Sequence, residues 1–267
     1  MDEKDSKSLD IFGIKPVADS LKIVTKSVID AAGAFLSRIC LPAAEEFGLM
    51  LSDRVKHWRE INKVRLLQKA EEKLIKYNPE KDQHAHPRLV AEILNKGSWE
   101  ANEEVQDMWA GLLASSCTKD GTDESNLLFI NILSQLTSLQ AKILNYVCEN
   151  GRKTLSKAGW LQSADELVVH LDILQTITNC TDFHRLDREL DHLRNLGLIG
   201  QSGLGGGFGP DSTDADITPT GLALQMYVRC KGFIDDPSTF FELVKSDPEI
   251  LETDKQDTQQ KNRGDRE

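Results

Sequence analysis

Residues 41–60 read Leu-Pro-Ala-Ala-Glu-Glu-Phe-Gly-Leu-Met-Leu-Ser-Asp-Arg-Val-Lys-His-Trp-Arg-Glu, and the chain then runs without a further proline to Pro79. Apolar or small side chains recur along this stretch at steps of three and four residues, which is the spacing of one helical face. They are Ala44, Phe47, Leu51, Val55, Trp58, Ile61, Val64, Leu67, Ala70, Leu74 and Tyr77. Pro42 fits the first turn of a helix, where no amide donor is needed. We therefore predict a single helix from Pro42 to Tyr77, about 50 Å long, which needs neighbours along most of its length.

The second half of this predicted helix is basic. Between Arg54 and Lys76 it carries eight Lys and Arg residues and only three Glu, a local charge of +5 in a chain whose net charge is -11. Such a run is either a solvated helix face or a surface that contacts acidic groups, including those of this same chain. The basic residues that we assign to a candidate interaction surface are Arg54, Lys56, Arg59, Lys63, Arg65 and Lys69.

A shorter amphipathic helix is predicted before the long one, from Val17 to Ile39. Its apolar residues follow a spacing close to a heptad repeat, and residues 31–34 are all small. This face can pack against the long helix, mediate self-association or lie on a membrane surface. Ala31 and Phe35 on the same face complete the candidate interaction surface.

The segment that follows the long helix is predicted to contain three shorter helices. A solvated loop over 80–86, which holds two histidines, precedes a short helix over 88–94, which Pro87 can begin and Gly97 closes. Ser98 is the predicted N-cap of a helix that reaches about Ser116, because Glu residues follow it where the helix dipole favours them. Residues 127–133 form the third helix. The predicted buried face of the middle helix consists of Val105, Met108, Trp109, Leu112 and Leu113.

Two capping boxes mark the C-terminal half of the chain. Thr137 and Gln140 fit the Thr-x-x-Gln pattern at the start of a helix that stops at Gly151. Residues 163–166, Ser-Ala-Asp-Glu, fit a second box and predict a second helix after them.

A third helix, a glycine-rich turn and a last helix complete the predicted order. The third helix covers 182–196 and ends at Gly197, the expected C-terminal glycine. A short strand, the turn 200–210 and the sequence Ile-Thr-Pro-Thr-Gly at 217–221 follow. This order resembles a winged-helix domain, in which the glycine run is a flexible wing tip. The run lacks the Gly-Lys-Ser/Thr of a phosphate-binding loop.

The charge of the winged-helix-like segment argues against DNA as its partner. The candidate recognition helix, 182–196, carries three Arg against four Asp and Glu, and the wing adds Asp211, Asp214 and Asp216. Phosphate contact requires cationic side chains. We therefore expect no specific duplex binding and assign this segment to protein docking or to a structural role.

The whole composition limits the function further. A net charge of -11 and a pI near 5.1 argue against general affinity for nucleic acid or anionic membranes. The first ten residues are not a signal peptide, and no stretch is apolar enough to cross a membrane. Five widely spaced cysteines indicate reduced thiols in a cytoplasmic protein. Since no catalytic, metal or cofactor motif occurs, we expect no catalytic residue, metal or cofactor.

Two blocks of the sequence resemble the Abi-alpha (abortive infection alpha) family of bacterial proteins. The first covers residues 41–59 with Asn62, and the second, residues 103–114, reads Glu-Glu-Val-Gln-Asp-Met-Trp-Ala-Gly-Leu-Leu-Ala. The motif residues are Pro42, Glu46, Gly48, Asp53, Trp58, Asn62, Trp109 and Ala110. The resemblance spans roughly residues 20–230. It implies a phage-defence setting and carries over no catalytic residue.

We therefore expect a mainly α protein with a flexible N-terminus (1–15), a helical domain (16–135), a winged-helix-like domain with a small β-hairpin (136–245) and a disordered tail (246–267). Its expected role is that of a non-enzymatic interaction or effector protein of bacterial phage defence. It would act by helix-mediated self-association or by docking a protein partner. The alternative is a winged-helix transcriptional regulator that binds DNA.

Overall fold

The computed structural model describes residues 26–39, 54–79, 82–200 and 213–244. These residues contain nine α-helices and three pairs of short antiparallel strands, so the predicted mainly α fold with small β elements is confirmed. The predicted flexible N-terminus, the starts of both N-terminal helices, most of the glycine-rich turn and the predicted disordered tail lie outside the described residues.

The elements follow one another as short helices interrupted by short strands. In chain order they are α1 (Lys26–Ile39), α2 (Arg54–Tyr77), β1 (His84–Ala85), α3 (Pro87–Gly97), α4 (Glu103–Ser115), β2 (Cys117–Thr118), α5 (Leu127–Leu133), α6 (Ser138–Asn150), β3 (Lys153–Leu155), β4 (Leu161–Ser163), β5 (Val168–His170), α7 (Leu171–Thr178), α8 (Phe183–Asn195), β6 (Asp214–Asp216), α9 (Gly221–Lys231) and a 3-10 turn (Pro237–Thr239).

The chain divides into two compact units. Unit 1 comprises the residues up to Ala141 together with Val228–Ile234, and unit 2 comprises Lys142–Tyr227 together with the residues from Asp235 onward. The domain limits expected from the sequence, at 135/136 and 245/246, stay predictions.

Helix α2 organises unit 1. It packs most extensively on α4, and α1 and α3 contact it as well. The predicted apolar face of α2 is buried from Ile61 to Leu74, with Val64, Leu67, Ala70 and Leu74 at most 4% exposed, whereas Trp58 of the same predicted face is 36% exposed. All five residues predicted for the buried face of α4 are also buried. Burying these faces removes about 25 cal/mol of unfavourable hydration per Å² of apolar surface, which stabilises the helix pair.

The predicted loop before α3 is partly a strand, so that prediction was wrong. His84 pairs with Thr118 and Ala85 with Cys117 in the antiparallel β1–β2 pair, and Ala85 is 3% exposed. His86 then caps α3, since its Nδ1 accepts a hydrogen bond from the Arg88 amide at 3.3 Å. A two-residue strand carries no periodicity, and its partner lies more than thirty positions away in the sequence.

The start of α4 was also predicted wrongly. The N-cap is Asn102, whose side-chain oxygen accepts hydrogen bonds from the amides of Glu104 and Val105, both at 3.1 Å. Ser98 instead ends α3, because its amide donates to the Leu94 carbonyl at 3.2 Å. Both residue types are good caps, so the sequence alone did not distinguish them.

The segment Val228–Ile234, which begins in the last turn of α9, packs within unit 1 at an unusually close approach. A Cβ on Gly111 of α4 would lie 1.6 Å from the Cys230 carbonyl oxygen. Gly232 has φ +95°, which favours glycine, and lies against Lys73. Phe233 makes an edge-to-face contact with Tyr77 at 5.7 Å between ring centroids. Gly111 therefore lets two backbones touch directly.

Two helices of the C-terminal half begin and end as the sequence predicted. At the start of α6, Thr137 Oγ1 accepts from the Gln140 amide at 3.2 Å, and Gln140 Oε1 accepts from the Thr137 amide at 3.0 Å. Asp182 caps α8 by accepting from the Arg185 amide at 3.0 Å. Gly197 follows α8 with φ +70°, as predicted.

The second capping box does not exist. Ser163 is the last residue of β4, paired with Lys153, and its hydroxyl donates to the Pro219 carbonyl at 2.7 Å. The helix in this region, α7, begins at Leu171 after a cap by His170. Val168 and Val169 lie instead in β5, which suits β-branched side chains.

A small sheet-like ladder joins distant parts of unit 2. Strand β5 pairs with β6 in antiparallel register, Val169 opposite Ala215. Beside it, Gly200 donates to the Thr218 carbonyl and Thr220 donates to the Leu198 carbonyl, at 2.9 and 3.1 Å. The order α6, β5, α7, α8, residues 198–200 and β6 is compatible with the winged-helix assignment, which stays a prediction.

Replacing Gly111 with Ala is expected to destabilise unit 1. The added methyl group cannot occupy the space of the Cys230 carbonyl, so the two backbones must separate, at a cost of about 1–3 kcal/mol or more. Urea unfolding followed by circular dichroism measures this loss. Gly33→Ala is the matched control, because nothing lies within 4 Å of its added Cβ and alanine favours a helix by about 0.5–1 kcal/mol. Equal stability of the Gly111→Ala protein and the wild type would contradict the close approach.

Candidate interaction site

The turn between α3 and α4 is fixed on α2 by buried polar side chains. Asn62, 1% exposed, donates through Nδ2 to the Ser98 carbonyl at 3.0 Å. Gln106 of α4 donates to the Asn62 carbonyl at 3.4 Å. A Cβ on Gly97 would lie 2.6 Å from Leu66 Cδ1 and 3.1 Å from Trp109 Cγ, so the turn is tightly packed. Two motif residues, Asn62 and Trp109, therefore lie at this junction, and a third, Ala110, is buried in α4.

Arg59 connects this junction to the surface. Its Nε donates to Ser98 Oγ and its Nη2 donates to Asn95 Oδ1, both at 2.9 Å. Its guanidinium also lies over the Trp99 ring, 4.3 Å from the centroid. Planar stacking and two directed hydrogen bonds use properties that Lys lacks. Arg59 therefore holds Trp99 in one orientation.

Two tryptophans lie exposed beside Arg59. Trp99 is 56% exposed and Trp58 is 36% exposed, and their ring centroids are 6.4 Å apart. We call Trp58, Arg59 and Trp99 the tryptophan patch. Exposed tryptophans held by a stacked arginine resemble the composition of binding hot spots, in which Trp, Tyr and Arg are enriched.

A cleft of about 270 Å³ opens next to Trp99. Trp109, 3% exposed, contributes to its interior, and Trp99 lies at its rim. The residues that line it are Lys96, Trp99, Glu100, Val105, Trp109, Leu133, Ser134 and Leu136. The tryptophan patch and this cleft together form the candidate interaction site of unit 1.

The predicted basic surface is largely engaged within unit 1. Lys73 pairs with Asp107 of α4 at 2.9 Å, and Lys69 lies 3.8 Å from Glu103. Lys63 pairs with Glu60 at 2.8 Å, and both side chains are buried. Arg65 is half-buried, whereas Arg54 and Lys56 lie in the first turn of α2, whose side chains are outside the described part. The basic run thus meets acidic groups of its own chain.

The other residues predicted for the interaction surface and for the family motif lie either in α1 or outside the described part of the chain. Phe35 of α1 is 2% exposed, with the Arg38 guanidinium 5.3 Å from its ring, whereas Ala31 is exposed. Pro42, Glu46, Gly48 and Asp53 lie outside the described residues. The interaction role of these residues stays a prediction.

Sequence reasoning missed Trp99, Ser98 and Asn95 as parts of the site. A tryptophan in a turn between two predicted helices was the available signal, because such a large apolar side chain is seldom left in a turn without a contact. Its stacking on Arg59 depends on how α2 packs beside α3, which no local pattern shows.

Unit 2 has a larger cleft, of about 580 Å³. Lys153, which lines this cleft, contacts its own neighbourhood in two ways. Lys153, 6% exposed, donates to the Glu149 carbonyl near the end of α6 at 3.3 Å and lies over the Phe241 ring at 4.9 Å. Burial lowers the pKa of Lys153. The ammonium therefore stabilises the C-terminus of α6 and the segment that carries Phe241.

One arrangement in unit 2 has the residue types of a catalytic triad. Thr213 Oγ1 lies 2.7 Å from His170 Nε2. The Asp172 amide donates to His170 Nδ1 at 3.3 Å, and the Asp172 carboxylate lies 3.2 Å from the same nitrogen. All three residues are exposed, and His170 is the N-cap of α7, so the arrangement has a local structural role.

The described cysteines are not joined by disulfide bonds: Cys117, Cys148, Cys180 and Cys230 each keep a thiol. Burial raises the pKa of Cys117 to about 12 and also raises the pKa of Cys230, so both are protonated and poor nucleophiles.

None of the described helices combines the length and apolar character needed to cross a bilayer.

Comparisons with known proteins give one match. The family model described as "Abortive infection alpha" matches residues 59–206, more than half of the chain. This range includes Arg59, Asn62, Trp99 and Trp109 and ends within the glycine-rich turn. Neither the curated proteins nor the solved structures contain a match.

Replacing Arg59 with Met is expected to destabilise unit 1 and to release Trp99. The change keeps an unbranched apolar stem but removes the bonds to Ser98 and Asn95, for a loss of about 1–3 kcal/mol. Urea unfolding measures the stability, and the Trp99 indole signal in NMR spectra reports its orientation. Arg65→Met is the matched control, since within the described part of the chain the Arg65 side chain makes no hydrogen bond or ion pair. An unchanged Trp99 signal in the Arg59→Met protein would contradict the role of Arg59 in orienting Trp99.

Proposed function

The chain belongs to the abortive infection alpha family, and on that premise we propose that it is a non-enzymatic effector of bacterial phage defence. It acts by contacting another protein through the tryptophan patch of unit 1. The family membership supports the phage-defence setting. The observation that supports the mode of action is the exposed Trp58–Trp99 pair held by Arg59.

Exposing two neighbouring indole rings is unfavourable in water unless a partner covers them. Each large aromatic side chain offers about 150–250 Å² for burial. The patch needs little ordering on binding, because Trp58 lies on α2 and Arg59 fixes Trp99. Pre-organised anchors lose little conformational entropy when a complex forms. These properties favour protein contact over a solvated helix face.

In this proposal unit 2 is a winged-helix-like domain with a protein-docking or structural role, and the charge of α8 supports this. Two of the three arginines in α8 are already paired with acids of the same helix: Arg185 with Glu189 at 3.5 Å and Arg194 with Asp191 at 2.6 Å. The third arginine, Arg188, is exposed and makes no ion pair with another described residue. One cation on an acidic helix gives little attraction for phosphates. A DNA-binding regulator is therefore the less favoured alternative.

In a gel shift with random-sequence and selected duplexes at low salt, we expect no sequence-selective binding tighter than about 1 μM, weaker than the usual specific range. Residual binding should disappear as salt rises, because it would involve few phosphate contacts. The Arg188→Glu protein should behave like the wild type in selectivity. Selective sub-micromolar binding that Arg188→Glu abolishes would favour the regulator instead.

Trp58→Ala is expected to abolish protection in a host that the wild-type chain protects from phage. The change removes one exposed ring of the patch, and hot-spot truncations cost about 2 kcal/mol or more of binding energy. Plaque counts measure protection, and immunoblots with circular dichroism verify level and folding. Ile75→Ala on the same helix, with Ile75 60% exposed, is the control and should protect normally. Full protection by a folded Trp58→Ala protein would contradict the proposed role of the patch.

A further inference from the structure

A tryptophan projects from the turn of the β3–β4 hairpin in unit 2. Trp160 is 71% exposed, the most exposed of the large apolar side chains described. The turn that carries it is ordered by its own hydrogen bonds. Ser156 donates its amide to the Trp160 carbonyl at 2.8 Å, and the Trp160 amide donates to Ser156 Oγ at 3.0 Å. Gly159 closes the turn with φ +83°.

These bonds make Trp160 a pre-positioned anchor. The hairpin below it has three residue pairs, from Lys153–Ser163 to Leu155–Leu161. Leu161, next to Trp160, is 8% exposed and fixes the hairpin on unit 2. A ring on a fixed turn loses rotamer freedom of its own side chain when it is enclosed, but the backbone that carries it loses little entropy.

The cleft beside Trp99 in unit 1 has a size and a lining that suit an indole ring such as that of Trp160. Its volume of about 270 Å³ suits one large side chain, and its lining combines two tryptophans and three aliphatic side chains with Lys96, Glu100 and Ser134. The Lys96 ammonium is paired with Glu92 at 3.4 Å. Trp109, Val105, Leu133 and Leu136 are all at most 8% exposed, so the cleft is held open by packed helices rather than by mobile side chains.

Charges next to the anchor and the cleft are complementary. Lys157, three residues before Trp160, is exposed and makes no ion pair in the part of the chain that is described. Glu100 lines the cleft beside Trp99, and its carboxylate accepts the Asn102 amide at 2.6 Å but meets no cation among the described residues. Opposite charges next to the anchor and the cleft favour one relative orientation when the two surfaces meet.

We propose that the chain associates with a second copy of itself, with Trp160 of one copy inserted in the Trp99–Trp109 cleft of the other and Lys157 facing Glu100. This inference deepens the proposed function, on which it rests, by naming a partner. The contact joins two different surfaces, the Trp160 anchor of one copy and the cleft of the other. One ring buries about 150–250 Å², far less than the roughly 1,200 Å² of a stable interface. Association through one contact is therefore weak and concentration-dependent.

The test uses the purified full chain in sedimentation velocity over a wide concentration range. The wild type is expected to associate reversibly. Trp160→Ala removes the anchor, Ser134→Trp fills the mouth of the cleft, and each should weaken association about tenfold or more. Phe183→Ala, which removes another exposed ring of unit 2 (48% exposed), is the control and should associate like the wild type. Circular dichroism verifies the folding of each variant.

Mixing provides the decisive measurement. The Trp160→Ala protein keeps the cleft, and the Ser134→Trp protein keeps the anchor. Each should associate only weakly alone, whereas a mixture of the two should form a complex with one intact contact.

A charge exchange gives a second test. Lys157→Glu and Glu100→Lys should each weaken association, and combining both in one chain should restore it, more clearly at low salt than at high salt.

Three outcomes overturn the inference. They are a wild type that stays monomeric at every concentration, association that survives Trp160→Ala, and mixtures that show no complex. The second of these outcomes, combined with loss of association in Ser134→Trp, would mean that another segment occupies the cleft. None of these outcomes affects the proposed function, whose test is protection by the Trp58→Ala protein. Trp58 lines neither the cleft nor the hairpin.

Discussion

Burial of a basic helix against an acidic helix is the constraint on which unit 1 depends. Helix α2 must bury Leu66, Leu67 and Ala70, each 0% exposed, although lysines and arginines surround them. Helix α4 accepts this face because its own first turns supply Glu103 and Asp107 opposite Lys69 and Lys73. Partly exposed pairs of this kind contribute at most about 1 kcal/mol each. The apolar contact therefore stabilises the helix pair, and the charges determine its register.

That register also decides where the candidate interaction site lies. With α2 fixed on α4, Asn62 reaches the carbonyl of Ser98, and Arg59, three residues earlier on the same helix, reaches Ser98 Oγ and the Trp99 ring. The side chains at 59 and 62 share one helical face. The patch is thus an extension of the core junction to the surface, which explains how two tryptophans can be exposed and still well oriented.

Close backbone contact plays a comparable role at the other side of α4. Gly111 admits the Cys230 carbonyl where any larger residue would collide. The segment Val228–Ile234 thereby belongs to unit 1 although it follows unit 2 in the sequence. The chain passes from unit 1 to unit 2 within α6, returns to unit 1 within α9 and passes to unit 2 again after Ile234, beyond the end of α9.

Features whose causes are local can be derived from the sequence. The apolar spacing of α2, α4 and α8, the reciprocal Thr137–Gln140 cap, the Asp182 cap and the left-handed Gly197 were all predictable, because each depends on residues within one or two helical turns. Two blocks, 41–59 and 103–114, indicated the family, and the family model, which matches residues 59–206, contains the second block in full.

The remaining features depend on tertiary contacts. Ser163 looked like a cap until β3 paired with it, and His84 looked solvated until Cys117–Thr118 paired with its segment. The basic run could have faced solvent, a partner or its own chain, and packing against α4 settled the positions of Lys69 and Lys73. Strand pairing, counter-charges and the exposure of a tryptophan all depend on residues far away in the sequence, and a local pattern contains no information about which distant segment will lie beside it.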